Sequence, residues 1–594
     1  MTDPKTDAAA ETEFDFVIIG SGFGGSVSAL RLAQKGYKVA VLESGKRWRS
    51  SDFPATNWKI NRFLWMPGIF CYGIQRLNLL KHVLILSGSG VGGGSLVYAN
   101  TLYRPLDKFY SHPGVAAVGT KASLAPYYGL AEKMLGVTTN PHEWEVDHLM
   151  QETAQDMGFG SSYRVTPVGV YFNQDDSQSD PYFGGEGPLR TGCNHCGGCM
   201  VGCRFDSKNT LDKNYLHFAE KLGVQIFPEN RVIDIIPEGQ NGEHGYQIIS
   251  NSPTGWFGGK QKTWRAKSIV LSAGVLGTVG LLLRLKEQGR LPGLSDRLGD
   301  VVRTNSESIV GVTSTEKQHN FSKGVAITSS VHPDEHTHIE PVRYSEGSDA
   351  MDLLTTLMTD GGGSLPRPLR FLINICFHPV QFLRTLLPFG FARRSIILLV
   401  MQTLDNSMRL VRQRRWIFPF KKTLSSAEGS GSDKIPTFIP VANQFARLLA
   451  TKIKGTPKSA YNEVLLDVPT TAHILGGACF GKSRAEGVID PQGRVFGYEN
   501  MWICDGSMIP ANPGVNPSLS ITAFSEHTMA QVPPRASGEA AHFQFEKKWK
   551  VTRILNVVAR QKLTGPRVGK KKTAGATKKA AQRAVKKRTR KAAT

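Results

Sequence analysis

The first strong signal along the chain is an apolar run, "FDFVIIG" from Phe14. Glycines follow, then apolar residues at helical spacing, then a second apolar run, "YKVAVLESG", with Glu43 near its end. Short apolar runs bounded by turn residues read as buried strands and the i, i+3, i+4 pattern as a helix, so this stretch predicts a βαβ unit. Two later stretches repeat the order of strand, turn and helix. One is "AKSIVLSAGVLGTVGLLLR" from Ala266; the other is "ENMWICDGSMIPANPGVNPSLSITAFSEHTMAQ", whose strand ends at Asp505 and Gly506 and whose helix begins near Pro517. "FDSKNTLDKNYLHFAEKLG" predicts an amphipathic helix feeding the strand "VQIF". "FSKGVAITSSV" and "RRSIILLVMQTLDNSM" have the apolar, β-branched character of strands in a second sheet.

Two segments mix bulky apolar side chains with Arg and Lys: "NRFLWMPGIFCYGIQRLNLLKHVLIL" from Asn61 and "LPRPLRFLINICFHPVQFLRTLLPFGFARR" from Leu365. Prolines at 366, 368, 379 and 388 exclude a single long helix from the second. Such composition suits a surface resting on a bilayer, or a cover over an apolar cavity. No run of about 18 apolar residues occurs, so no spanning helix is expected.

At 594 residues the chain exceeds the usual domain length of about 100–150 severalfold, which allows at least two domains. The net charge of +23 is concentrated at one end, where thirteen Lys and Arg and no Asp or Glu stand from Gln561 onward. That stretch has little to bury and reads as a disordered cationic tail suited to anionic lipid or nucleic acid. Eight cysteines are too few for a disulfide scaffold, and "MTDPKTDAAAETEFDF" lacks the basic end and apolar run of a secretion signal. The expected setting is cytoplasmic, or peripheral on the inner face of a membrane.

Gly20, Gly22 and Gly25 fill the G-x-G-x-x-G positions of the βαβ turn, with Phe23 and Gly24 between them. Glycines there permit the tight turn, the approach of backbone to a pyrophosphate and close helix packing. Glu43, at the end of the second strand, suits a ribose and argues against a 2′-phosphate. A second glycine cluster, "SGSGVGGGSLVYAN" from Ser87, supplies Gly88, Gly92, Gly93, Gly94 and Ser95, bare backbone that can lie against a flat ring. Val232, Ala273, Gly274, Asp505, Gly506, Asn516 and Pro517 complete the cofactor-facing set. Pieces spread so widely along the chain suit a permanently held FAD better than an exchangeable nicotinamide.

In order, "GSGFGG", "GSGVGGGSL", "SAGVLGT", "TTAHILGGACFGKS" and "DGSMIPANPGVNPS" resemble a GMC-type (glucose–methanol–choline) flavin oxidoreductase. The chain is most similar to the actinobacterial, cholesterol-oxidase-like branch, over roughly Phe14 to Pro533. The resemblance implies that His473 and Asn516 form the active-site pair beside FAD, and that Glu340 shifts a double bond after oxidation. Glu335 and Glu346 are alternatives for that acid. An imidazole with a pKa near 6.5 suits removal of a hydroxyl proton, and an amide dipole can hold the oxygen. One departure stands out: Ile474 follows His473 where secreted sterol oxidases often have Pro.

Cys193, Cys196, Cys199 and Cys203 are spaced C-x₂-C-x₂-C-x₃-C, the run of bacterial ferredoxins. In two-cluster ferredoxins a Pro follows and the fourth Cys serves the other cluster, whereas here Arg204 follows and no second run exists. A three-iron cluster, a cluster completed by a distant thiol such as Cys71, and reduced thiols in a glycine-rich turn all remain open. Structural zinc fits less well, since it usually takes Cys pairs separated by a longer loop.

The expected fold class is α/β: a Rossmann-like FAD domain, a second α+β substrate domain on an antiparallel sheet, and the basic tail. Residues 14–48, 86–140, 208–305 and 470–535 are assigned to the FAD domain, 49–85 to a lid, 141–207 and 306–469 to the substrate domain, and 536–594 to the tail. The expected activity is oxidation of a hydrophobic secondary alcohol, a 3β-hydroxysteroid such as cholesterol, with O₂ or another electron acceptor. The alternative is a membrane-associated dehydrogenase of another lipid alcohol that drains electrons through a Cys-ligated iron–sulfur cluster.

Overall fold

The structure is a computed structural model. It describes residues 13–173, 177–255, 259–415, 418–429, 433–535 and 541–547. The basic tail expected from Gln561 lies outside the described residues. Met1–Phe545 form one compact unit, and Glu546 begins a second.

In the first unit the N-terminal apolar runs become β1 (Glu13–Ile19) and β2 (Val39–Leu42), joined by α1 (Phe23–Gln34). β3 (Gln225–Phe227), β4 (Arg231–Glu238), β5 (Gly245–Asn251) and β6 (Gln261–Leu271) extend the sheet in the order β3-β2-β1-β6-β5-β4, and the strand Met501–Ile503 adds to β6. Pairing is parallel from β3 through β6 and on to Met501–Ile503, while β4 and β5 form an antiparallel meander. The parallel centre is covered on both faces, so Val17, Ile18, Val41, Ile269 and Val270 are wholly buried and those strands read as unbroken apolar runs. α2 (Gly274–Glu287) leaves the C-terminal end of β6.

A second sheet is antiparallel throughout. β7 (Ser308–Ser314), β8 (Thr337–Val342), β9 (Thr355–Leu357), β10 (Ser395–Gln402) and β11 (Gly455–Ala460) lie in the order β8-β10-β7-β11-β9. Alternation sorts its side chains. Val310, Val312, Ile396, Leu398 and Val400 pack on Phe445, Ala446 and Leu449 of α3 (Pro440–Lys452) and on Val146 and Met150 of the helix Glu145–Asp156. The alternate residues Ile309, Ile397 and Leu399 face a cavity. Glu340 stands opposite Leu399 in the β8–β10 register, so strand geometry turns its side chain to that same cavity face. Finally, α4 (Ser518–Gln531) packs beside α1.

"RRSIILLVMQTLDNSM" supplies the interior strand β10, as expected, and "FSKGVAITSSV" supplies a short strand, with single bridges from Ile327 and Val331 to Val342 and Ile339 of β8. Only Ser329–Ser330 forms a ladder, with Arg164–Val165. Nearer its start, Gly324 (φ +116°) pairs its backbone with the cysteine turn through Cys196 and exchanges hydrogen bonds with His195 and Gly197. The proline-interrupted segment from Leu365 forms three short helices, Arg367–Phe377, Pro379–Thr385 and Phe391–Arg394. Among the described residues no helix is long and apolar enough to cross a membrane.

Candidate active site

The turn between β1 and α1 is packed on all sides but one. Gly20 has φ +104°, and a Cβ at Gly24 or Gly25 would collide with the carbonyl of Cys504 or Gly20. At Gly22, by contrast, a Cβ would meet nothing within 4 Å. That open space lies at the N-terminus of α1, where free N–H groups and the helix dipole favour a phosphate. The second glycine loop lies against the first: a Cβ at Gly93 (φ +51°) would stand 2.7 Å from Gly22 Cα.

Hydrogen bonds lock these pieces together. The Ser21 hydroxyl donates to Glu43 Oε2 at 2.7 Å and accepts from the Gly92 N–H at 3.1 Å, while the Gly45 N–H donates to Glu43 Oε1 at 2.8 Å. Ser95 Oγ donates to the Gly92 carbonyl and accepts from Leu211 N–H. Asp505 ties the start of α2 to its own turn: Oδ2 accepts from Gly274 N–H (2.9 Å) and Thr278 Oγ1 (2.5 Å), and Oδ1 from the N–H (2.8 Å) and hydroxyl (2.5 Å) of Ser507. Burial pushes its carboxyl above the ordinary range. Asp505 thus fixes the backbone from Ala273 to Gly274 and at Gly506, rather than offering a free carboxylate. Val232 sits in β4 beside a register shift, and Pro517 caps the N-terminus of α4 immediately after Asn516.

His473, Asn516 and Glu340 come from separate parts of the chain and meet. His473 Nε2 lies 3.5 Å from Asn516 Nδ2, which donates to Glu340 Oε2 at 3.2 Å. The buried Asn516 Oδ1 and Glu340 Oε1 have no hydrogen-bond partner among the described residues. Glu340 is wholly buried, and desolvation lifts its pKa to about 8; Asn516 opposes this and the Glu307 charge adds to it. Glu335 and Glu346, the alternatives, are 83% and 53% exposed and play no part in this cluster. His338, also wholly buried, has Nε2 3.7 Å from Glu340 Oε1, beyond hydrogen-bond reach. Desolvation holds its pKa well below the ordinary value, so the two groups are neutral neighbours rather than an ion pair.

The sequence reading missed Glu307. Its Oε1 contacts His473 Nδ1 and its Oε2 accepts from the Ala472 N–H at 2.7 Å, and the Glu307 side chain is itself wholly buried. It also missed Asn305, whose amide donates to the Val515 carbonyl (3.0 Å) and accepts from the Gly514 N–H (3.0 Å), next to Asn516. Asn305 and Ser306 carry φ of +58° and +46°. Asn tolerates that conformation, whereas Ser stores on the order of 1 kcal/mol in it. The only sequence signal was an acid at the mouth of an apolar strand, "SESIVGV".

Above this cluster opens a cavity with about 930 Å³ of empty space, part of it open to solvent. Leu86, Ile309, Tyr344, Ile397, Phe391 and Leu399 line it, and Ala472, the neighbour of His473, lies at its edge. The four clustered cysteines are free thiols around a separate cavity. Among the described residues, no three or more His, Cys, Asp or Glu converge as ligands of a single metal ion.

The open cradle at Gly22, the second glycine loop against it and the unpartnered amide oxygen of Asn516 fit FAD. Fold and site together define a flavin-dependent alcohol oxidoreductase. Models described as GMC oxidoreductase match residues 190–285 and 433–525, and one described as FAD binding domain matches 15–58. A cholesterol oxidase of Acinetobacter baumannii is 45% identical over 531 residues, 88% of this chain and 95% of that protein. A cholesterol oxidase of Mycobacterium tuberculosis is 46% identical over 540 residues, covering 88% and 91%. The chain belongs to the GMC oxidoreductase family, in its cholesterol-oxidase-like branch. The crystal structure of a pyridoxine 4-oxidase from Mesorbium loti, 14% identical, shares the fold with a TM-score of 0.55 over 87% of this chain and 98% of that one.

Proposed function

We propose that this protein oxidises the 3β-hydroxyl of a sterol to a ketone, with O₂ as the terminal acceptor, and then moves the ring double bond. The observation that carries this reading is the convergence of His473, Asn516 and Glu340 beside an apolar cavity. The similar cholesterol oxidases support the same substrate class. Gly20, Gly22, Gly93, Ser95, Glu43 and the Asp505-braced turns would hold FAD, which when bound accepts the hydride from the carbinol carbon.

The protein's own groups handle the proton. Glu307 accepts from His473 Nδ1–H, which leaves the Nε2 lone pair, beside Asn516, as the acceptor for the hydroxyl proton. Asn516 Nδ2 donates toward the substrate oxygen, and Asn305 fixes the backbone that carries it. Glu340, with a pKa near neutrality, can lose a proton and regain one, which suits taking a proton from the carbon next to the new ketone and delivering it two carbons further along the ring system.

The assigned FAD domain, substrate domain and lid (49–85) remain part of this proposal, as does contact with a membrane. The helices Arg367–Phe377 and Pro379–Thr385 expose Leu372, Phe377, Val380 and Leu383, flanked in sequence by Arg370 and Arg384. Phe391, just beyond them, lines the cavity. The placement suits a sterol entering from lipid.

Anaerobic mixing of the holoenzyme with a 3β-hydroxysteroid should bleach the flavin absorption, and admitting air should restore it with formation of peroxide. An unchanged spectrum with a 3β-hydroxysteroid, alongside bleaching by a straight-chain alcohol, rejects the sterol assignment.

A further inference from the structure

We propose that Cys193, Cys196, Cys199 and Cys203 together hold one four-iron iron–sulfur cluster, at a site separate from the alcohol-oxidising centre.

The spacing alone left open which thiols could act together, and the fold answers it. All four line one cavity with about 310 Å³ of empty space, part of it open to solvent. Cys71, the alternative fourth ligand, sits in a strand of its own paired with Met66 and does not line that cavity. The chain is wound around the space by residues in the left-handed region, His195 (φ +57°), Gly197 (φ +68°) and Gly202 (φ +97°). The bend at Gly197 is pinned by its N–H donating to the Gly324 carbonyl at 2.9 Å. The His195 N–H donates to Cys193 Sγ at 3.4 Å, the kind of backbone bond that stabilises sulfur ligands and tunes clusters. Gly198 leaves room for sulfur: a Cβ there would stand 3.3 Å from Cys196 Sγ.

Charge supplies an independent observation. Lys208 lines the same cavity and is 2% exposed. Its ammonium donates to the carbonyls of Leu96 (3.0 Å) and Cys199 (2.7 Å) and rests over the Tyr98 ring at 4.7 Å, with no carboxylate within ion-pair distance among the described residues. A buried ammonium lacking a counter-charge is costly. Four thiolates around a cluster carry net negative charge and would supply it.

The absence of a converging single-ion site among the described residues argues against zinc, whose ligands crowd within about 2.3 Å of one ion. Thiolates on the corners of a cluster stand farther apart. The position also has neighbours that matter. Leu96 belongs to the second glycine loop, and Met200, between the third and fourth cysteines, lines the substrate cavity.

The test measures metal, so its outcome and that of the sterol reading are independent. Holoenzyme isolated anaerobically, and the same protein reconstituted with ferrous iron and sulfide, is assayed for iron, acid-labile sulfide and FAD, with EPR after reduction. The expected result is roughly four iron and four sulfide per chain. Cys196→Ser and Cys199→Ser should each lose most of both while keeping FAD, which shows that the fold survives. Should the buried Cys199→Ser fail to fold, the half-exposed Cys196→Ser and the native protein still decide. Less than one iron per chain after reconstitution, iron without labile sulfide, or variants with undiminished iron and sulfide would each overturn the proposal.

Discussion

His473 has a carboxylate on one ring nitrogen and an amide near the other, and this asymmetry is what makes it useful. With Glu307 on Nδ1 the proton is confined to that side, and Nε2 stays free to accept. Glu307→Gln keeps the size but can present its amide N–H to Nδ1, favouring the wrong tautomer. We expect turnover to fall roughly 10²-fold with little change in KM, read by steady-state kinetics; an unaltered kcat would reduce Glu307 to a packing role. Glu340 predicts a different split. Glu340→Gln should still form the ketone but leave the double bond unmoved, so chromatography of the products distinguishes it from a general loss of activity.

Among the elements, the short helices after Leu365 raise the clearest question, because Phe377 is 77% exposed and Leu383 60%. Buried Arg367 anchors the first of them, donating to the carbonyls of Thr359, Thr437 and Glu463, so the exposed face is held out rather than frayed. A double substitution, Leu372→Asp with Phe377→Asp, should lower turnover of sterol in vesicles about tenfold or more and leave detergent-dispersed sterol nearly untouched. Equal losses in both formats would mean that these residues serve folding. The sequence pattern foretold the composition of this segment and its breaks at proline. Whether its apolar side faced a cavity or solvent could not be read, since both demand the same residues.

On the scale of the whole molecule, buried acids and histidines set a pH dependence. Glu340 and Glu463 have pKa values lifted by desolvation to about 8 and about 7, so the folded state keeps protons that the unfolded chain releases. Their stabilisation is complete below the ordinary glutamate range and is lost as pH rises through those values. His338 acts in the opposite sense: held neutral by burial, it costs stability only as pH falls below the ordinary histidine value of about 6.5. The melting temperature of the holoenzyme should therefore fall between about pH 6.5 and 8, with a shallower slope in Glu340→Gln; a profile that rises across that interval contradicts the assignment. Removal of residues 561–594 should leave turnover on detergent-dispersed sterol unchanged, since none of the site residues lies there.

The sequence by itself determined what local periodicity and backbone chemistry can encode. The βαβ unit, the glycine turns and the strand-to-helix joints at Ala273 and Asp505 follow from short motifs that carry their own physical reasons, while the pairing of His473 with Asn516 was implied by the resemblance to the GMC family. The tertiary structure alone separated the three acids, because Glu340 lies within β8 and is wholly buried, whereas Glu335 and Glu346 lie beyond the ends of that strand and are exposed. It also supplied Glu307 and Asn305, which lie far along the chain from His473 and Asn516 and act only once a left-handed turn brings them together. The same holds for the four thiols and Lys208: spacing names the ligands, but only folding shows that they share one cavity with a buried positive charge.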